Sequence, residues 1–224
     1  MNLSERAIRY LKTRKRDKLF IVSETETREY LNSQGIISDE FIRFQVNYSG
    51  YELTIQNDPG KSFYCKLFST KQIQKNEKLE LLKVGDRLLE HCGDYSTAQF
   101  TYFLTNKGEL CTLDDNDLPN ILYNSFDTFV EAYALQNRIS NLDQNPYYFE
   151  VLKASDLNLF MNQRFKVLEE CTDSYNQWWT DEHLFAVKGV WFDRPEFYFH
   201  VYGTSQLLCN NMINELKMQE ILKG

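Results

Sequence analysis

The apolar positions in the first fifty residues recur at helical spacing. Residues 4–16 place Ala7, Ile8 and Leu11 on one side of a helix, with Ser4 as its N-cap. Two further amphipathic helices are predicted, from Ser23 to Gly35 and from Ser38 to Gly50. In the first of these two, a glutamate three residues after the serine completes a capping box. The apolar run 18–22 between the first and second helices predicts a short strand.

From residue 51 the period changes from helical to alternating, which predicts strands. A hairpin is expected with its turn at 57–60, and the polar, lysine-rich segment 69–80 is expected to be a loop. A second hairpin is expected around 106–108. The predicted strands are 52–56, 62–68, 87–92, 99–105 and 109–113. Successive hairpins favour an antiparallel sheet.

After the strands, Ser125 begins a helix whose broad apolar stripe can cover one face of that sheet. The sequence therefore predicts an α+β fold, an antiparallel sheet with helices packed on one face. The last third predicts a helix over 156–170 capped by Ser155, strands over 184–190 and 197–202, and a closing helix over 205–222. The polar joint 141–146 divides the chain into a domain at 1–140 and, at 141–224, an α+β extension or a continuation of that domain.

Charge excludes one broad class of partner. The chain carries 25 Lys and Arg against 32 Asp and Glu, a net charge of −7, which argues against general binding to nucleic acid or anionic membranes. The first 18 residues are the exception, with seven basic residues against two acidic ones. We interpret this stretch as the solvated face of a helix; a phosphate-binding arm is the alternative.

The five cysteines are widely spaced and form no C-x-x-C pair, so neither a disulfide framework nor a zinc site is expected. No apolar run is as long as a signal-peptide core or a membrane span. The predicted location is therefore cytoplasmic, where thiols stay reduced.

The pattern of histidines, serines and glycines contains no recognisable catalytic or nucleotide-binding motif. His91 and Cys92 are adjacent on a predicted strand, so their side chains face opposite ways and cannot pair as base and nucleophile. We therefore expect no catalytic residue, no cofactor and no metal, and a protein that is not an enzyme. An unrecognised Cys/His hydrolase, with its dyad assembled across the fold, is kept as an alternative.

Three carboxylates cluster in the loop that contains Asp114, Asp115 and Asp117. The spacing fails the EF-hand order because no glycine follows and Pro119 interrupts, so a calcium site is not expected. Two interpretations remain. The loop is either a solvated turn whose carboxylates suit the N-terminus of the following helix, or an anionic patch that binds a basic partner.

The adjacent indoles of Trp178 and Trp179 face opposite ways on an extended chain, so one of them is expected to be exposed as an interface anchor. Together with the three aspartates they form the predicted partner-binding set. The aromatic run 191–197 is balanced in charge and is assigned to the core.

Three segments resemble the SUKH superfamily over roughly residues 24–140. They are the turn Tyr48-Ser49-Gly50-Tyr51-Glu52-Leu53, the strand pair 100–110, and the helix start Ser125-Phe126-Asp127-Thr128-Phe129-Val130. The resemblance implies a bacterial immunity protein that neutralises a cognate toxin by stoichiometric binding, with no catalytic residues. The net charge suits a basic toxin as protein partner. A regulatory scaffold or a small-ligand-binding module is the alternative.

Overall fold

The computed structural model describes residues 3–56, 58–95, 100–142 and 147–223. Within these ranges the chain forms an α+β fold, which confirms the predicted class. All of its described strand pairs are antiparallel, and they make two separate sheets. None of the described helices has the length and apolar character needed to cross a membrane.

Three short helices open the chain where the apolar spacing predicts them: α1 (Glu5–Lys12), α2 (Glu24–Ser33) and α3 (Asp39–Asn47). Their N-cap serines accept hydrogen bonds from the first-turn backbone, as expected of residues that satisfy exposed N–H donors. The capping box of α2 is confirmed, with Ser23 and Glu26 bonded reciprocally.

The predicted strand at 18–22 is wrong. Lys18–Phe20 forms a single 3-10 turn, because the side chain of Asp17 accepts a hydrogen bond from the backbone of Leu19 and starts that turn. The backbone of Asp17 also donates to the carbonyl of Gly50 at 2.8 Å. Gly50 has a φ of 90°, and a Cβ there would lie 2.6 Å from the Asp17 carbonyl oxygen, so this crossing requires glycine.

The first sheet has the strand order β1-β2-β4-β5-β6-β7, with β3 paired to the far end of β4. Its strands are β1 (Glu52–Ile55), β2 (Asp58–Cys65), β3 (Leu82–Val84), β4 (Arg87–Tyr95), β5 (Tyr102–Thr105), β6 (Leu110–Leu113) and β7 (Pro119–Tyr123). Both predicted hairpins are present. The first turn is tighter than expected, because Ile55 pairs with Asp58; Asn57 lies outside the described residues.

Sequence reasoning missed three elements in the part of the chain that forms the first sheet. Strands β3 and β7 were not predicted, and the expected loop 69–80 contains a short helix, α4 (Thr70–Gln74). Helix α4 begins with a capping box between Ser69 and Gln72, a local signal that is visible in the sequence. Strand β7 begins at Pro119, a position that a strand tolerates because proline there interrupts no ladder donor.

Helix α5 (Phe126–Ile139) is the centre of the molecule. One side of α5 packs on the first sheet with Phe126, Phe129 and Val130, while Leu135 and Ile139 belong to a separate cluster with residues of the second sheet. The predicted stripe is therefore confirmed, and the helix is buried on two sides rather than one.

The second sheet has the order β8-β12-β11-β10-β9 and lies between α5 and two further helices. Its elements are β8 (Phe149–Glu150), α6 (Ala154–Arg164), β9 (Lys166–Val167), β10 (Gln177–Thr180), β11 (Leu184–Val190), β12 (Phe197–Gly203) and α7 (Gln206–Met218). The expected helix 156–170 ends early at Arg164. Its cap is Lys153 and not Ser155, and Lys153 makes no side-chain cap bond.

The first unit, which contains the first sheet, and the second unit, which contains the second sheet, make one of their contacts along β7, an edge strand of the first sheet. The amide of Asn176 donates to the carbonyl of Leu122, and Asp173 accepts a hydrogen bond of 2.8 Å from the backbone of Asn124. Tyr175, which lies in the segment 172–176 before β10, packs against a cluster that contains Leu89, Cys111 and Ile121. The proposed boundary at 141–146 lies partly outside the described residues and stays a prediction.

Candidate functional site

The three predicted aspartates lie at the tip of the β6–β7 hairpin, which we call the acidic tip (residues 114–118). The tip is a closed turn in which the backbone of Asp114 donates to the carbonyl of Leu118 at 2.9 Å. The carboxylate of Asp114 accepts two backbone hydrogen bonds, from Asn116 at 2.8 Å and Leu118 at 2.9 Å. Asp114 therefore has a structural task in shaping the tip.

Asp115 and Asp117 are the exposed carboxylates of the acidic tip. Within the described ranges neither of them forms an ion pair, so their charges face solvent uncompensated. Asp117 has a φ of 59°, a left-handed conformation that aspartate adopts more readily than most residues. The tip thus presents two free acids on a defined turn.

The interpretation of this loop as a helix N-terminus is wrong. Strand β7 separates the acidic tip from α5, so the tip carboxylates do not lie at the start of the helix. That position is filled by the N-cap Ser125 and by Asp127 in the first turn. Among the described residues, no group of three His, Cys, Asp or Glu side chains is arranged to hold a metal ion.

The expectation that an indole is exposed is also wrong. Trp178 and Trp179 do face opposite sides of β10, as the alternation of a strand requires, but both are 0% exposed. Trp178 stacks 5.9 Å from the ring of Tyr202 on the α5 side. Trp179 packs under α6, where its Nε1 donates to Asn162 at 2.7 Å.

The physical reason is that helices cover the second sheet on both faces, which the local sequence around the tryptophans does not reveal. The predicted partner-binding set is therefore split. The aspartates lie on the surface, and the tryptophans belong to two cores and offer no surface to a partner.

The cysteines lie in environments that suppress thiolate formation. All five are buried. Burial raises the pKa of Cys65 and Cys92 well above the usual thiol value, and it raises the pKa of Cys111 and Cys171 to about 12. A nucleophilic cysteine requires the opposite shift.

Two of the three histidines, His91 and His200, have polar partners within the fold. His91 faces away from Cys92, which lies in the core, and its Nε2 is 2.8 Å from a carboxylate oxygen of Asp94. Lys66 contacts the other oxygen of that carboxylate at 2.6 Å. His200 is fully buried, and its Nδ1 lies 2.9 Å from the carbonyl of Tyr147.

Three of the seven basic residues in the opening stretch are tied to the rest of the protein. Arg6 pairs with Glu131, Arg14 donates to the carbonyl of Thr54 at 3.2 Å, and Arg16 donates to the carbonyl of Ser49 at 2.9 Å. These guanidinium groups bind backbone carbonyls and a carboxylate of the protein itself, so they do not form a free phosphate-binding arm. The exposed remainder consists of Arg9, Lys12, Lys15 and Lys18.

Sequence reasoning missed a second exposed turn. The run 191–197 was assigned to the core, yet residues 192–196 are exposed at the tip of the β11–β12 hairpin, and Phe192 is 41% exposed. The turn formers Asp193 and Pro195 between two strands were the available signal.

Comparisons with protein-family models, with curated proteins and with solved structures gave no match for this chain. Its function is therefore inferred from its own residues.

Proposed function

We propose that the protein is an immunity protein, of the kind that its resemblance to the SUKH superfamily implies. It acts by stoichiometric binding to a basic toxin domain and performs no chemistry. The observation that carries the proposal is the acidic tip, where Asp115 and Asp117 are exposed and unpaired within the described residues. Free carboxylates on a defined turn suit recognition of lysine and arginine side chains.

The net charge of −7 supports the same partner chemistry. An acidic protein attracts a basic partner over a distance of about one Debye length, roughly 8 Å at physiological ionic strength, and this field accelerates encounter. The same negative field repels nucleic acid and anionic membranes, so neither is proposed as a partner.

The state of the thiols favours a binder over the alternative of a Cys/His hydrolase. The four cysteines with raised pKa values are protonated at neutral pH and are shielded from substrate by burial. Five widely spaced cysteines without a C-x-x-C pair also suit the reducing cytoplasm, which we propose as the site of action.

The test is recovery of one dominant basic protein when the tagged full-length chain is used as bait in lysate of its source cell. Asp115→Lys together with Asp117→Lys should then slow association with that protein and reduce the salt dependence of the rate. Asp114 is left intact because it shapes the tip.

The matched control is Glu29→Lys with Glu182→Lys, which changes the net charge equally at two other exposed positions. A larger effect of the tip variant than of the control supports the acidic tip as the contact. Equal effects would remove the tip from the proposal, and recovery of no basic protein at any salt concentration would contradict the function itself.

A further inference from the structure

We infer that the acidic tip is half of a composite binding surface, and that the second unit supplies the other half through the β11–β12 turn, which we call the aromatic tip (residues 191–196). The inference rests on the proposed function and names a surface and a partner chemistry for it. The composite surface takes a protein segment in which lysine or arginine lies beside an aromatic or aliphatic residue. Its exposed members are Phe100, Asp115, Asp117, Leu118, Phe192, Asp193 and Glu196.

The two tips are held together by side chains of the hairpin that bears the acidic tip. Thr112 of β6 donates its hydroxyl to the carbonyl of Phe192 at 2.6 Å, and Asn120 of β7 donates its amide to the carbonyl of Trp191 at 2.8 Å. Thr112 is 0% and Asn120 is 7% exposed. Buried polar groups need partners, so these two fix the aromatic tip beside the acidic one.

One side of the Phe192 ring packs against aromatic residues of the first sheet. The ring of Phe192 lies 6.0 Å from that of Tyr102 and 6.1 Å from that of Tyr95. A third ring, that of Phe100, lies 6.4 Å from Phe192 and is itself 37% exposed. Phe192 is thus 41% exposed while its contacts with Tyr95 and Tyr102 fix the orientation of its ring. A side chain that is already fixed loses little conformational entropy on binding, which is typical of an interface anchor.

Leu118 adds apolar surface from the acidic tip, since its side chain is 52% exposed. The composite surface therefore offers three apolar side chains, one from each of three chain segments. Apolar residues surrounded by charged ones are typical of protein contact sites.

The charge of the two tips selects the occupant. Together they carry five carboxylates and one guanidinium, which gives a formal charge of −4. The guanidinium, that of Arg194, is already engaged: it lies 3.5 Å from Asp193, 3.9 Å from Glu196 and 4.8 Å from the ring of Trp191. A second copy of this surface would be repelled by it, whereas a basic segment is attracted.

Lysine and arginine fit this mixture better than a purely charged ligand does. Their aliphatic stems can cover Leu118 and Phe192 while the charged heads reach the carboxylates of Asp115 and Asp117. An arginine can also stack on the open face of Phe192. A neighbouring aromatic or aliphatic residue of the partner then fills the apolar area toward Phe100.

The experiment uses the full-length chain as bait for a displayed library of random twelve-residue peptides. Enriched peptides should contain two or more basic residues adjacent to an aromatic or leucine side chain. A synthetic peptide of the enriched sequence is the probe for affinity, measured by fluorescence anisotropy at several salt concentrations. Phe192→Ser should weaken its binding at least about tenfold, as truncation of an interface aromatic does.

Three variants make the result specific. Ile37→Ser removes an apolar side chain that is 91% exposed elsewhere and should leave the affinity unchanged. Asp115→Asn with Asp117→Asn should weaken binding and flatten its salt dependence. Thr112→Val removes the hydroxyl that holds the aromatic tip, so it should weaken peptide binding even though Thr112 cannot touch the peptide; thermal unfolding checks that each variant is folded.

The inference would be overturned by selection of no peptide, by enrichment of acidic or neutral peptides, or by basic peptides whose affinity is equal for wild type and Phe192→Ser. Concentration-dependent dimerisation that is abolished by Phe192→Ser would overturn it in favour of a second copy. A basic protein recovered from lysate whose binding ignores Phe192→Ser would leave the proposed function standing and remove only this surface.

Discussion

The guanidinium of Arg6 lies 2.9 Å from the carboxylate of Glu131, in the middle of the central helix α5. Glu131 is 3% exposed and also accepts a hydrogen bond from the hydroxyl of Ser4 at 2.7 Å. Arg6 reaches Glu170 at 3.1 Å with its other nitrogen. One arginine near the start of the chain thus ties α1 to the central helix and to a residue of the last third.

Loss of this arginine should destabilise the protein strongly. Arg6→Leu leaves the buried carboxylate of Glu131 without its countercharge, and we expect the free energy of unfolding to fall by about 3 kcal/mol. Urea unfolding followed by circular dichroism measures the change. Arg9→Leu is the control, because its exposed pair with Glu5 should contribute about 0.5 kcal/mol or less. An equal decrease in the free energy of unfolding in the two variants would show that the Arg6–Glu131 pair does not contribute significantly to stability.

Local signals were sufficient where the structure depends on neighbours in sequence. The caps Ser4, Ser23 and Ser125 start the helices that they predict, and β11 (Leu184–Val190) has the bounds expected of the aromatic strand at 184–190. The acidic tip was also visible, because carboxylates next to Pro119 interrupt the apolar pattern.

Long-range packing explains what local signals missed. Whether an indole on β10 is exposed depends on α5 and α6, which come from distant parts of the chain. The aromatic tip is fixed by Asn120, 71 residues before its bonding partner Trp191. No window of sequence contains both ends of such a contact, so its geometry cannot be predicted from periodicity.

The buried indoles give a prediction for fluorescence. In a Trp191→Phe variant only Trp178 and Trp179 emit, and because both are 0% exposed, acrylamide should quench them weakly until the protein is unfolded. Strong quenching of the native variant would restore the exposed-anchor interpretation.

The buried ring of Trp179 should contribute strongly to the stability of the fold. Trp179→Ala removes a fully buried ring and should lower the free energy of unfolding by about 3–5 kcal/mol, measured by chemical denaturation. Leu159→Ala is the control on the neighbouring helix, since its side chain is 62% exposed and should contribute little. A similar effect of both changes would contradict the assignment of Trp179 to the core.

The thiols should be inert in the folded protein. Because all five cysteines are buried and burial raises the pKa of four of them, a thiol reagent at neutral pH should label none rapidly, and labelling should follow unfolding. Ser155→Cys provides an exposed reference thiol for comparison. One native cysteine that reacts as fast as this reference would favour the Cys/His hydrolase instead.

Glu90 makes stability depend on pH. It lies on β4 opposite Leu104, is 9% exposed, and within the described residues its Oε2 has no hydrogen-bond partner. Burial, with a smaller contribution from the negative charge of Glu80, raises the pKa of Glu90 from 4.5 to about 8. The folded protein therefore holds a proton on Glu90 that the unfolded chain releases above pH 4.5.

Stability should accordingly fall as pH rises from about 4.5 to about 8, because over this range folding requires uptake of that proton. A shift of this size corresponds to at most about 5 kcal/mol. Glu90→Gln cannot ionise, so its free energy of unfolding should be close to wild type at pH 5 and several kcal/mol higher at pH 9, measured by urea unfolding across the range. The exposed Glu29→Gln should follow the wild-type curve at every pH. Parallel curves for Glu90→Gln and wild type would mean that the Glu90 carboxyl ionises normally, and that the pH dependence has another source.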